Sequence, residues 1–199
     1  MVALSPELVG VLGDVVVDVR EGFEANAGSI AAALTQHESF TRSNRPRSSL
    51  RRSLIEDELE HACVRQGLDA QPGSGGAFEI TVLDNDAYAV IRLRTAKYVD
   101  GELKVIANQG STYGGLAEDA LIREYPYVLG VVANEQDSLE FFVAHVRGHS
   151  DGRVPYLEFG WVHHFQAPTT PTGTSFIPDD GDDLDGWDAD DQGIAGTQA

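Results

Sequence analysis

Chemistry in this 199-residue chain would have to come from a short set of side chains: six histidines, one cysteine, a run of arginines and an aspartate-rich C-terminus. His145, His149, Asp151, His163 and His164 fall in the C-terminal third, and a metal site would need several of them to converge. Adjacent residues on a strand face opposite ways, so His163 and His164 could contribute at most one ligand between them. No HExxH, phosphate loop, nucleophile elbow or dinucleotide fingerprint occurs. Cys63 stands alone, which leaves no internal disulfide and no cysteine cage. Its expected place is the dry side of a helix, where a thiol is inert. Nothing here calls for a cofactor or a metal.

Arg42, Arg45, Arg47, Arg51 and Arg52 form what reads as the only basic cluster, uninterrupted by acid between Glu38 and Glu56. Guanidinium forks of this kind can hold phosphates or carboxylates. Its counterpart is the C-terminus, where residues 179 to 191 carry eight aspartates. With almost no apolar residues to form a core, residues 167–199 read as a disordered acidic tail. Asp179, Asp180, Asp182, Asp183 and Asp185 would supply charge there, and Trp187 a docking side chain. The two segments should attract each other at low salt, so the tail is expected to mask the arginines. An EF-hand in the tail fails on register, because Gly186 as the loop glycine puts Gly181 where the first aspartate must stand.

The elements that would position these residues follow from periodicity. Ser5-Pro6-Glu7 starts a helix with a hydroxyl cap, a proline at the first position and an acid at the positive dipole end. Leu8, Leu12, Val15, Val16, Val19, Phe23, Ala27, Ile30 and Leu34 then recur at three and four, through about Thr35. Gly10, Gly13, Gly22 and Gly28 suggest a break, near Gly22 or Gly28. The stripe reads as core or as a dimer or partner surface. His37 to Ser49, with Pro46, reads as a loop, after which Ser49 caps a second helix to about Gln66. That helix turns Leu50, Leu54, Ile55, Leu59, Ala62 and Cys63 inward, and Gly67 closes it in the left-handed conformation. Its acidic face, Glu56, Asp57, Glu58 and Glu60, reads as solvation, and Gln71 to Gly76 as a flexible connection.

Ala77 to Ala107 reads as a meander of three antiparallel strands. Phe78, Ile80 and Val82 alternate with Glu79 and Thr81, and Ala89, Ile91 and Leu93 with Val90, Arg92 and Arg94. Asp84-Asn85-Asp86 and Asp100-Gly101 are the turns. Leu116 to Glu124 gives a short helix ended by Pro126. Tyr127 to Ala133, Leu139 to Val146 and Tyr156 to Phe165 give three further strands, with Asn134 to Asp137 as a turn.

The order of helix, three strands, helix and strand resembles the restriction-endonuclease-like core, in which an acid near the second strand and Glu-x-Lys on the third hold a metal. Glu102-Leu103-Lys104 matches the tripeptide and Asp86 the acid. A turn at Asp100-Gly101 would pair Glu102 with Val99, though, leaving Asp86 roughly 40 Å away at about 3.3 Å per residue. That resemblance therefore implies at most a degenerate domain that binds nucleic acid. Residues 50 to 146 are also similar in topology to secretion-chaperone-like domains, which implies a non-enzymatic, often dimeric, protein-binding module.

The expectation is an α+β fold whose mainly antiparallel sheet has about five to six strands, with N-terminal helices packed on it. Residues 1–36 would be a helical segment, 37–49 a basic linker, 50–166 the core domain and 167–199 the tail. A net charge of −18, from 32 acids against 14 bases, disfavours nucleic acid as a partner. With no apolar run long enough to span a membrane, the chain reads as soluble and cytoplasmic. Its function reads as protein binding or regulation, with self-association through the N-terminal helix. A metal-dependent enzyme using the C-terminal histidines is the remaining alternative.

Overall fold

Ser5 caps the first helix as its side chain allows: Ser5 Oγ accepts from the Leu8 amide at 3.2 Å, with Pro6 in the first turn where no amide is needed. In the computed structural model, which describes residues 3–73, 78–107, 124–133, 138–151 and 154–166, this helix, α1, runs unbroken over Pro6–Thr35. The break expected at its glycines does not occur. Gly13 faces the Phe165 ring, and at Gly22 a side chain would overlap the Glu58 carboxylate, so these two glycines let neighbours approach closely. By its internal contacts the chain divides into Met1–Pro168 and Thr169–Ala199, and every described residue belongs to the first unit.

The segment expected as a loop from His37 to Ser49 contains instead a 3-10 turn, Glu38–Thr41, and the start of helix α2, Arg45–Arg65. Asn44, not Ser49, occupies the cap position, and Pro46 falls in the first turn, where proline is compatible with a helix. At its other end Gly67 takes φ +70° and the Leu68 amide donates to the Cys63 carbonyl at 2.9 Å, the left-handed closure expected there.

Six strands form one sheet in the order β1-β2-β3-β6-β7-β8. They are β1 Asp69–Pro72, β2 Phe78–Asp84, β3 Ala87–Thr95, β6 Glu124–Ala133, β7 Leu139–His149 and β8 Leu157–Phe165. All neighbours are antiparallel except β3 and β6, which run parallel from Tyr88↔Glu124 to Thr95↔Val131. The fold is thus α+β with a mainly antiparallel sheet.

The three-strand meander is corrected by this topology. β2 and β3 pair as expected around Asn85 and Asp86, both at positive φ. The next hairpin, β4 Lys97–Val99 and β5 Glu102–Lys104, turns at Asp100-Gly101 as expected but forms a separate two-stranded ribbon. The place beside β3 goes to the more apolar β6, whose Val128 and Leu129 are fully buried. Part of the segment expected as a flexible connection, Gln71 and Pro72, belongs to β1. Pro126, expected to end a helix, lies in β6 just before that strand begins pairing with β7 at Tyr127, where a missing amide costs least. Residues 108–123, 134–137 and 167–199, with the short helix, the turn and the tail expected in them, lie outside the described residues.

Alternation along each strand splits the apolar residues between two layers. On one face Leu12, Val15, Val16, Val19 and Phe23 of α1 and Ile55 and Leu59 of α2 pack with Ile80, Ile91, Leu129, Phe141 and Val143. Each such side chain contributes about 1.5–3 kcal/mol when fully buried. The α1 stripe is therefore core of the sheet domain. On the other face Val105 and Ala107, just past the ribbon, pack on Val128, Phe142, Ala144 and Leu157. Gly130 makes room for Phe142 directly across the strand pair.

Candidate functional site

Where β3 ends, the chain passes from the sheet into the ribbon, and a cleft of about 260 Å³ opens between that corner, α2 and the returning segment after β5. Four cations line it: Arg52 from α2, Arg94 from β3, Lys97 from β4 and Lys104 from β5. They include both lysines of the chain, in a molecule whose net charge is −18. Thr95 and the apolar side chains Ile55, Leu93, Ala96, Val105, Ile106 and Val131 complete the lining. The Ala96 amide donates to the Val131 carbonyl at 2.8 Å and fixes the corner against β6.

The four cations differ in what they already hold. Arg52 Nε donates to Glu56 Oε1 at 2.8 Å, one helical turn along. Lys104 donates to Glu102 within the ribbon; the bond raises the Lys104 pKa and lowers that of Glu102. Arg94 is half-buried and Lys97 exposed, and among the described residues neither has a hydrogen-bond or ion-pair partner. The contrast on the same strand is Arg92, whose Nε donates to Glu79 Oε1 at 2.7 Å across the β2–β3 pair. Two cations committed to neighbours and two uncommitted ones around an apolar wall can bind an oxyanion by charge-assisted bonds. Among the described residues the lining holds no acid, histidine or cysteine, and its polar groups are the four cations and Thr95.

The five arginines read from the sequence are not brought together. Arg42 pairs with Glu38 at 2.8 Å, Arg45 and Arg47 are exposed, and Arg51 is half-buried. At 100° per residue Arg45 and Arg52 point one way from α2 and Arg47 and Arg51 another, roughly 140° away. Only Arg52 reaches the cleft. A second basic group, Arg94, Lys97 and Lys104, was therefore missed, because its members are split by a strand end and a hairpin. Its sequence signal was the placement of both lysines within eight residues of one turn. Asp179, Asp180, Asp182, Asp183, Asp185 and Trp187 lie outside the described residues.

The histidines are dispersed. The His163 ring stands between Trp161 and Phe165, with centroids 6.1 and 5.1 Å away, while His164 meets Phe142 on the opposite face. His145 packs against Tyr125 and Tyr127, and burial pushes its pKa below the ordinary value. No three His, Cys, Asp or Glu side chains converge among the described residues. Burial pushes the Cys63 thiol up to about 12, so it stays protonated. Glu102 pairs with Val99 and sits past one end of β3, whereas Asp86 lies in the turn before the other end.

Among the described residues, no helix is long and apolar enough to cross a membrane. No protein-family model, curated protein or solved structure matches the chain.

Proposed function

We propose that the protein is a non-enzymatic binding module of regulatory kind that recognises an anionic group at the cleft beyond β3. The observation that carries this is the uncommitted pair Arg94 and Lys97 in a cleft that also holds Arg52 and Lys104. The overall charge of −18 opposes any anion at a distance. Charges more than about 10 Å away are largely screened at 0.1 M salt, whereas cations within about 4 Å of a partly enclosed anion are not, so the local field wins. Nucleic acid is the weaker reading, since four cations in one cleft make a point site and not a track along a phosphate backbone.

The test is calorimetric titration of the full chain with inorganic phosphate at 0.1 M salt. The expected dissociation constant is about millimolar, equivalent to roughly 4 kcal/mol. Arg94→Gln should weaken it at least tenfold, with the melting temperature preserved. Equal affinity in wild type and Arg94→Gln would refute the reading.

A further inference from the structure

The cleft's wall is as specific as its charge. Six of its eleven lining residues are apolar, and five of those six, Ile55, Leu93, Ala96, Val105 and Val131, are at most 6 % exposed, so they form a fixed surface behind the cations. Ile106 is 43 % exposed and sits at the mouth, held in place by its bridge to Tyr156. An inorganic anion at Arg94 and Lys97 would use one side of this space and leave water against the other. A ligand with an apolar body would displace that water.

The size of the space narrows the class further. Clefts that hold drug-sized molecules start at about 300 Å³, and an apolar cavity of about 150 Å³ accepts benzene. The 260 Å³ here suits an oxyanion head carried on a body of about benzene size or a short alkyl chain. It is too small for a nucleotide.

From this we infer that the ligand is a small amphipathic oxyanion, a short-chain carboxylate or phosphate monoester. Its head lies at Arg94 and Lys97 and its body lies against Ile55, Val105, Ile106 and Val131. The inference rests on the reading of the cleft as an anion site and adds the apolar half of the ligand. Arg94 suits the head because its planar fork engages two oxygens at once, which a lysine ammonium cannot do. Ile106 sets the length of body that remains covered.

The experiment is a head-group-matched series on the full chain: inorganic phosphate, ethyl phosphate and hexyl phosphate, with acetate and hexanoate as the carboxylate pair and hexanol as the uncharged body. Each methylene buried should tighten binding about fourfold, so hexyl phosphate should bind at least tenfold tighter than ethyl phosphate, and hexanoate at least tenfold tighter than acetate. Hexanol should bind more weakly than either hexyl anion. Ile106→Ser should flatten the length dependence, narrowing the gap between ethyl and hexyl phosphate. Inorganic and hexyl phosphate binding equally in the wild type would overturn the amphipathic ligand but leave anion recognition standing. If no anion binds and hexanol does, both readings fall.

Discussion

Arg20 and Arg94 are two arginines in one acidic chain with opposite roles, and the difference shows what separates structure from site. Arg20 is 6 % exposed in the middle of α1, yet it has a partner on each nitrogen: Nε donates to the Leu139 carbonyl at 3.1 Å, Nη2 to Phe165 at 2.9 Å and Nη1 to Gln166 at 2.8 Å. Its guanidinium also lies over the Phe141 ring, 5.6 Å from the centroid. It fastens α1 to the start of β7 and the end of β8, giving the carbonyls of buried Leu139 and Phe165 a donor. Burial pulls its pKa down and Glu140 and Glu24 oppose that, but a guanidinium stays charged regardless. Arg94, by contrast, has no partner among the described residues and faces a cleft. A buried cation with every nitrogen engaged belongs to the fold, and one left uncommitted beside open volume is available to a ligand.

The largest effect should come from breaking the first of these. Arg20→Leu leaves the buried Leu139 and Phe165 carbonyls short of a donor, each costing about 1–3 kcal/mol, so denaturant unfolding should register a loss of at least about 2 kcal/mol. Phosphate affinity of the folded fraction should stay within about twofold. A variant as stable as the wild type would mean that water or relaxation replaces the clamp.

His145 is an intermediate case and gives a smaller effect, since its Nδ1 is buried without a partner among the described residues. Because burial lowers its folded pKa, the unfolded chain binds the proton more readily, and stability is fully present above the unfolded value near 6.5. It should be lost as pH falls from about 6.5 through the folded value. His145→Phe, which keeps the ring contacts with Tyr125 and Tyr127, should flatten the stability profile in that window. An unchanged profile would assign the acid sensitivity to other groups.

Much of this fold was legible because its signals are local. Ser5, Gly67, Asn85-Asp86 and Asp100-Gly101 each encode a backbone conformation within a few residues, and each was found in it. Pairings set by tertiary competition were not legible. A hairpin turn at Asp100-Gly101 says that β4 meets β5, but nothing about whether the pair joins the main sheet; the longer, more apolar β6 took that place. β1, Asp-Ala-Gln-Pro, has no strand-forming composition and exists by pairing its backbone with β2. The cleft was hidden for the same reason. Arginines adjacent in sequence look like a site, but on α2 they diverge by angle, while Arg94, Lys97 and Lys104 converge only when β3, β4 and β5 fold back on one another.

The most direct measurement of where anions bind is amide chemical-shift mapping on the isotopically labelled chain during a phosphate titration at 0.1 M salt. The cleft reading predicts that the amides of Leu93 to Lys97 and Lys104 to Ile106 shift together and saturate at one dissociation constant, while those around Arg20, Leu139 and Phe165 stay still. Shifts confined to Arg42 through Arg52 without saturation would contradict it, and would return the anion to the exposed arginines of α2.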